Sequence, residues 1–549
     1  MNNLASLLKQ RVDSSQPALY REFVDNGWRS FSGQDIAGMA ARWQQAFRRE
    51  GFQKGDRVAL CLKNSTNWVA ADMAGLGMGL VIVPLYVNDN AANIAWCVTD
   101  SEAKLLVLQN TRMLDALRRV NNQLPTIICI EADSQVNTLE KWLPAAGDEF
   151  RIDEVEPDSL ATIVYTSGTT GPPKGVKLSH GNILSNVHAV NKAVALHASD
   201  RVLSVLPLSH MFERTCGYYL TLYAGVQVIF ARGIQQLAED LATQQPSILI
   251  TVPRVLERFK ARIEDKLAAS FFKRLLYALT VRFGWRVYQQ RASGLERLVY
   301  GLLKKWVAGA LLARLDPKLR MVVVGGAALD QRVGRTFIGL GLRITQGYGL
   351  TETSPVIAGN REGDTDLASV GAPLENVEVR VNQAGELLVR GPSVMLGYWR
   401  KPQATREVLD EGGWFNTGDQ VDIRNGKIYI KGRTKDILVL SNGEKVPPQE
   451  VEAAILGDDV FEQVMLVGEG RPFLTLLAVT QEADANKLVR RANEKLKIFP
   501  RYIRVHRVIP LKEPWTIENA LLTTTLKVKR KQVSEKFNSE IEKTYGAAR

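Results

Sequence analysis

From Ala41 to Val324 short apolar runs alternate with longer amphipathic ones. Ala41 to Arg48 is patterned as a polar-faced helix with Trp43 and Phe47 four apart, Arg57 to Leu62 as a strand, Asn67 to Gly75 as a helix and Leu80 to Val83 as a strand that ends at a Pro84 turn. Ala103 to Gln109, Thr126 to Glu131 and Leu160 to Val164 add strands. Helix Asn182 to Ala195, strand Val202 to Leu206, helix Gly217 to Tyr223 and strand Val226 to Phe230 follow. Strand Ser247 to Val252 ends at Pro253, and the rhythm resumes with Leu319 to Val324. Strand and helix in alternation predict βαβ units, hence mostly parallel sheets flanked by helices.

The texture changes near Val377. Val377, Val379 and Val381 alternate with polar residues, Glu386 to Val389 follows a glycine turn, and Val421 to Ile423 faces Ile428 to Ile430 across Asn425-Gly426, a favoured hairpin signal. A charged stretch, Lys431 to Lys445, then leads to helix Pro448 to Leu456, strands Val464 to Val467 and Leu474 to Val479, helix Ala483 to Leu496, strand Ile503 to Ile509 and a final helix over 529–543. The expected fold is therefore α/β: a large N-terminal domain, 1–434, with a β subdomain at about 361–431, and a small mobile α+β domain, 435–549, acting as a lid.

Charge adds a regional feature. The formal net charge is +12, and Arg254 to Arg320 alone holds 16 Lys or Arg against 5 Asp or Glu. This basic insertion, 254–320, also carries Phe271, Phe272, Leu275, Leu276, Leu279, Phe283 and Trp285 among Lys273, Arg274, Arg282 and Arg286. Apolar and basic residues at helical spacing suit either a helix packed on the protein or one lying on an anionic membrane. No nucleic-acid module accompanies the charge. The four cysteines lack metal-ligand spacing and read as core. Trp68 to Val87, though apolar, contains Asp72 and Pro84 and is not read as a span. With no signal peptide evident, a reducing cytoplasm is expected.

The chemistry centres on YTSGTTGPPKG, Tyr165 to Gly175, with three Gly, five hydroxyl side chains and one lysine after a buried strand. Such a loop exposes backbone N–H groups to a polyanion, while Ser167, Thr169 and Thr170 add hydroxyls and Lys174 a mobile charge. The spacing is not that of a Walker A loop. Four further segments suit a reaction driven by positioning and electrostatics. GYGLTETSP offers Tyr348 for stacking, the Thr351 hydroxyl and Glu352 as a magnesium ligand. WFNTGD ends in Asp419, which could accept from sugar hydroxyls, KGRTKD places Arg433 at the domain border, and LLTTTLKVKR carries Lys527 on the small domain.

Together with LPLSHMFER, these motifs make the chain resemble the AMP-forming acyl-CoA synthetases of the adenylate-forming superfamily, and most of all their long-chain fatty-acid branch. The resemblance runs from about Arg21 to about Arg530. It implies ATP, Mg2+ and coenzyme A as reactants and metal and a long-chain fatty acid as substrate; the basic insertion, 254–320, adds an expected peripheral contact with the cytoplasmic face of an anionic membrane. It implies that Thr166, Ser167, Gly168, Thr169, Thr170, Gly171 and Lys174 grip the β- and γ-phosphates. Thr169 and Glu352 match the magnesium-associated pair, Gly325, Gly326, Ala327 and Tyr348 match the adenine-pocket wall, and Gly349 and Thr351 are counted with them as nucleotide-binding. Asp419 matches the ribose-binding acid, Arg433 the arginine on ribose and phosphate, His210 the histidine beside the acyl and α-phosphate site, and Lys435 the hinge. Lys527 matches the catalytic lysine, although Leu526 stands where the family commonly has glycine and Lys529 lies two residues on.

The motifs say little about the acyl tail or the acceptor. An aryl- or medium-chain acid–CoA ligase, a ligase loading a carrier protein and a non-enzymatic membrane or RNA adaptor remain alternatives, separable by pyrophosphate release.

Overall fold

The computed structural model describes residues 2–14, 18–121, 123–131, 137–166, 172–309, 318–361, 363–364, 366–516, 519–523 and 527–546. Among them the strands form sheets of nine, seven, four, three and two strands. In the nine-stranded sheet a parallel run of Arg343–Gly349, Met321–Val324, Ile248–Thr251, Arg201–Ser204, Gln227–Phe230 and Tyr20–Val24 is closed by antiparallel edges. The seven-stranded sheet has Leu160–Thr166, Val81–Pro84, Arg57–Cys61, Leu105–Asn110 and Thr126–Glu131 in parallel. One hydrophobic core joins the two sheets, with Leu60, Ile82 and Val164 from the smaller and Val202, Val228 and Ile250 from the larger. Parallel strands covered on both faces require such continuous apolar runs.

The large domain thus has the expected α/β architecture, and the four-stranded antiparallel sheet, Glu378–Val381, Glu386–Arg390, Phe415–Arg424 and Lys427–Arg433, is its β subdomain. The smaller α+β domain is built on Gln463–Val467, Leu474–Val479 and Val505–Leu511, with separate apolar clusters on the two faces: Val464 and Leu466 enter one, Met465 and Leu477 the other. Neither cluster contains a residue of the large domain.

Several elements differ from their sequence reading. The glycine-rich loop does not lead straight to a helix. A strand, Lys174–Ser179, first returns antiparallel to Leu160–Thr166, and helix His180–Ala193 begins after it under a Ser179 cap. Gly175 and Lys177 break the apolar run, which conceals this strand. The expected helix Gly217 to Tyr223 begins earlier, as a π-helical turn Glu213–Tyr219 continued by Leu220–Ala224, because buried Glu213 and Arg214 hide the apolar periodicity. The terminal helix is two, Arg530–Lys536 and Asn538–Gly546. WFNTGD is mostly strand, since Asp419 lies within Phe415–Arg424.

Unanticipated structure precedes Ala41. Helix Ser6–Val12 buries Leu7 and Leu8, with Leu4 buried just before it. The Leu4 N–H donates to His180 Nδ1 at 3.2 Å and the Asn3 amide to the Leu76 carbonyl at 3.0 Å. Strand Tyr20–Val24 then joins the nine-stranded sheet beside Gln227–Phe230. The four cysteines are buried and free.

The basic insertion is helical: Pro253–Ala268, Phe271–Tyr288 and Gly294–Leu303, with a further turn Lys304–Ala308. Trp285, expected to be available for membrane insertion, instead packs inward, stacked on Tyr288 at 5.6 Å with the Arg335 guanidinium 5.5 Å from its ring. No helix among the described residues is long and apolar enough to cross a membrane.

Candidate active site

The site lies where the parallel strands end. Arg201–Ser204 runs on to His210, Met321–Val324 to Gly325, and Arg343–Gly349 carries Tyr348 at its tip. Ligand crevices of α/β sheets open at these carboxyl ends. Two glycines are fixed by close approach. A Cβ on Gly349 would stand 1.8 Å from the Pro355 carbonyl oxygen, and one on Gly325 would stand 2.9 Å from the Phe212 ring. Gly326 and Ala327 follow as an exposed shelf.

Asp419 is the anchor. Its buried carboxylate accepts from the Tyr348 hydroxyl at 2.5 Å and from Arg433 Nε at 3.0 Å, and Asp419 and Arg433 are direct partners across the antiparallel ladder. Burial, then the Asp419 charge, raises the Tyr348 phenol above its ordinary range, so Tyr348 remains a donor. Desolvation opposes the Arg433 charge, but Asp419, Glu352, Asp436 and Tyr348 outweigh it and raise its pKa. Arg433 therefore links Asp419 to Glu352.

Glu352 lies in the short helical turn Thr351–Thr353, where Oε1 accepts from the Tyr398 hydroxyl at 2.9 Å. The Lys174 ammonium is 5.2 Å from the Tyr398 ring centre, which brings the end of the glycine-rich loop to the same carboxylate. Ser167, Gly168, Thr169, Thr170 and Gly171 lie outside the described residues. The base of their loop is closed by the Thr166–Lys174 pair and by the Trp96 indole donating to the Pro173 carbonyl at 3.3 Å. Beside it Trp399 donates through its backbone to Gly175 at 2.7 Å and through its indole to the Asp100 carbonyl at 2.9 Å.

The small domain contributes Lys527. The backbone of residue 527 is held to Thr523, whose N–H donates to the Lys527 carbonyl at 2.8 Å and whose Oγ1 accepts from the Lys527 N–H at 3.0 Å. The residue is exposed, and desolvation and then Arg433 lower its pKa against the pull of Asp419 and Asp436. Desolvation and the Lys527 charge lower His210 in turn, to about 4. His210 Nδ1 accepts from the Phe212 N–H at 3.2 Å, so the neutral ring carries its proton on Nε2 and is a donor there. Lys529 instead stands at the N-terminal boundary of helix Arg530–Lys536, with no capping hydrogen bond from its side chain.

His210, Lys527, Arg433, Asp419, Tyr348 and Glu352 are thus one connected electrostatic group. Sequence reasoning missed Tyr398, Trp96 and Trp399. They come from distant elements and belong to no charged or glycine-rich motif, and only the tertiary fold sets them against the loop.

A family model of the AMP-binding enzymes matches residues 10–399, and one of the AMP-binding enzyme C-terminal domain matches 435–549. The chain belongs to this family, the adenylate-forming ligases. It is similar to a long-chain-fatty-acid–CoA ligase, FadD15, of Mycobacterium bovis, 30% identical over 99% of this chain and 97% of the relative. It is also similar to a long-chain-fatty-acid–[acyl-carrier-protein] ligase of Arabidopsis thaliana, AEE15, 28% identical over 91% and 81%. In fold it resembles an anthranilate CoA ligase solved with anthranoyl-AMP, with TM-score 0.78, 18% identity and 98% of each chain covered.

ATP with Mg2+, and coenzyme A as substrate, are the reactants this family serves. The chain's residues fit them: Asp419 and Glu352 supply carboxylate oxygens, and Lys174, Arg433 and Lys527 supply positive charge.

Proposed function

We propose that this protein is an AMP-forming long-chain fatty-acid–CoA ligase of the cytoplasm, working in peripheral contact with the cytoplasmic face of an anionic membrane. A fatty carboxylate oxygen attacks the α-phosphorus of ATP, the bond to pyrophosphate breaks, and acyl-AMP forms. The coenzyme A sulfur then attacks the acyl carbon, AMP leaves, and the thiol proton passes to solvent. The Tyr348–Asp419–Arg433 cluster at the ends of the strands, with Lys527 feeling the charges of Asp419 and Arg433, carries this reading. The long-chain assignment draws on the similarity to FadD15 over nearly the whole chain.

In this reading Asp419 accepts from the ribose hydroxyls, and Arg433 and Lys527 place positive charge where the α-phosphoryl group gains negative charge. His210 donates from Nε2 to the acyl or phosphoryl oxygen. Thr169 and Glu352 would hold Mg2+, which when bound would supply positive charge against the phosphates. Lys174 and the Thr166–Gly171 loop hold the β- and γ-phosphates.

Pyrophosphate release with acids of graded chain length, with and without coenzyme A, tests the proposal. Release should be greatest with long-chain acids, and acyl-CoA should accumulate only with coenzyme A. Preference for an aryl or medium-chain acid would overturn the substrate class, and transfer to a carrier protein without acyl-CoA formation would overturn the acceptor. No release with any acid would leave a non-enzymatic adaptor.

The hinge gives a second test. Lys435 lies in the turn Thr434–Asp436 between strand Lys427–Arg433 and the small domain. Lys435→Pro fixes φ near −65°, and we expect adenylation to survive while thioester formation falls at least about tenfold. Two unaltered half-reactions would place the hinge elsewhere.

A further inference from the structure

The helical hairpin of the basic insertion carries an apolar face that nothing covers. On Phe271–Tyr288 the side chains of Phe271, Phe272 and Leu275 are 74%, 65% and 44% exposed. On Gly294–Leu303 and the turn after it, Leu295, Leu298, Leu302 and Trp306 are 60–74% exposed. The last four recur at intervals of three, four and four residues, so they share one helix face. Helix Gly294–Leu303 and turn Lys304–Ala308 both pack against Phe271–Tyr288, so the two exposed apolar groups belong to one packed unit.

The hairpin is fixed to the body. A Cβ on Gly284 would stand 2.0 Å from the Gly339 carbonyl oxygen and 2.6 Å from the Tyr300 ring, while one on Gly339 would stand 2.5 Å from the Val281 carbonyl oxygen. The backbones touch where side chains are absent, and buried Thr280 continues the contact one turn away. Packing therefore uses one side of the helices and leaves the other free.

Cations surround the free side. Lys273, Arg274, Arg297 and Lys305 are exposed, and among the described residues none of them is in a salt bridge, whereas inward Arg286 pairs with Glu296 at 3.3 Å. Apolar side chains framed by unpaired positive charge call for a partner that is both apolar and anionic. A second copy of the same face would set like charges together. An anionic bilayer supplies hydrocarbon and negative headgroups in one surface.

We infer that the outward face of this hairpin, with Leu295, Leu298, Leu302 and Trp306 as anchors beside Phe271 and Phe272, is the surface that docks on an anionic lipid bilayer. This deepens the peripheral-membrane part of the proposed function and rests on it. It replaces inward Trp285 by Trp306 and adds the second helix.

The test is co-sedimentation of the full-length protein with phosphatidylcholine vesicles with or without phosphatidylglycerol, at low and high salt and without substrates. One variant carries Leu298→Ser, Leu302→Ser and Trp306→Ser, the other Lys273→Glu, Arg274→Glu and Arg297→Glu. These side chains are exposed, and an unchanged thermal melt and unchanged pyrophosphate release with a soluble short acid would report an intact fold. Wild type should bind only the mixed vesicles and release as salt rises, and each variant should lose at least about tenfold in partitioning. Wild-type indifference to phosphatidylglycerol, or variants that bind as wild type does, would overturn the inference. So would a shift from dimer to monomer by light scattering in the serine variant, since the face would then join two copies. Vesicle binding without pyrophosphate release from any acid would leave the surface standing and the ligase reading refuted, and long-chain activity without vesicle binding the reverse.

Discussion

Lys527→Ala is expected to slow acyl-AMP formation by about 10²–10³-fold, the usual cost of losing one preorganised charge at a developing anion. Thioester formation from supplied acyl-AMP should change by less than about twofold if rotation about the hinge removes Lys527 from the cleft for that step. Lys527 is the cation that acts on His210, and Asp419 and Arg433 act on it in turn. Its pKa is lowered first by desolvation and then by the Arg433 charge, against the opposing pull of Asp419 and Asp436, so the ammonium already sits among the charged groups that would meet a phosphate. Single-turnover assays of the two half-reactions measure the difference. Equal damage to both would refute it, and selective loss in Lys529→Ala alone would move the role to Lys529.

The second large effect is on stability. Arg214 and Asp72 are wholly buried and joined through Arg214 Nη2 and Asp72 Oδ1. Asp72 Oδ2 accepts from the Tyr219 hydroxyl at 2.8 Å and the Tyr218 hydroxyl at 3.1 Å, while Arg214 Nη1 donates to Thr162 Oγ1 at 2.8 Å. The guanidinium also lies 5.2 Å from the Trp68 ring centre. Arg214→Leu strands a carboxylate and Asp72→Leu strands a guanidinium, and each should cost about 3–5 kcal/mol. The double variant, Asp72→Leu with Arg214→Leu, leaves no buried charge and should recover more than half of the summed loss. Urea unfolding of the four proteins checks this. Single losses under about 1 kcal/mol, or simple additivity, would show that the charges do not depend on each other.

Much of the fold is legible in sequence because buried parallel strands must be short apolar runs: Thr126–Glu131 and Leu474–Val479 match their expected bounds. Legibility fails where local pattern and tertiary demand diverge. Strand Lys174–Ser179 is interrupted by Gly175 and Lys177, and Glu213 and Arg214 are charged residues inside the core. Of the site, Asp419, Arg433, Tyr348, Lys527 and His210 stand out by motif, since each is an uncommon group in a distinctive local string. The Tyr398 hydroxyl on Glu352 and the Trp96 indole on Pro173 depend on contacts spanning 46 and 77 residues, which no local string encodes.

The first helix has a consequence for synthesis. Leu4, Leu7 and Leu8 enter a core whose partners include His180, and Tyr20 pairs with Val228 in the nine-stranded sheet. At roughly 5–20 residues per second the ribosome delivers those strand partners about 10–40 s after the N-terminal residues emerge. Helix Gly33–Arg49 is available to Ser6–Val12 well before then, whereas the His180 and Val228 contacts must wait out the interval. The sheet edge at Tyr20 is therefore closed only after a long stretch of later sequence has been made, although its own residues precede that stretch.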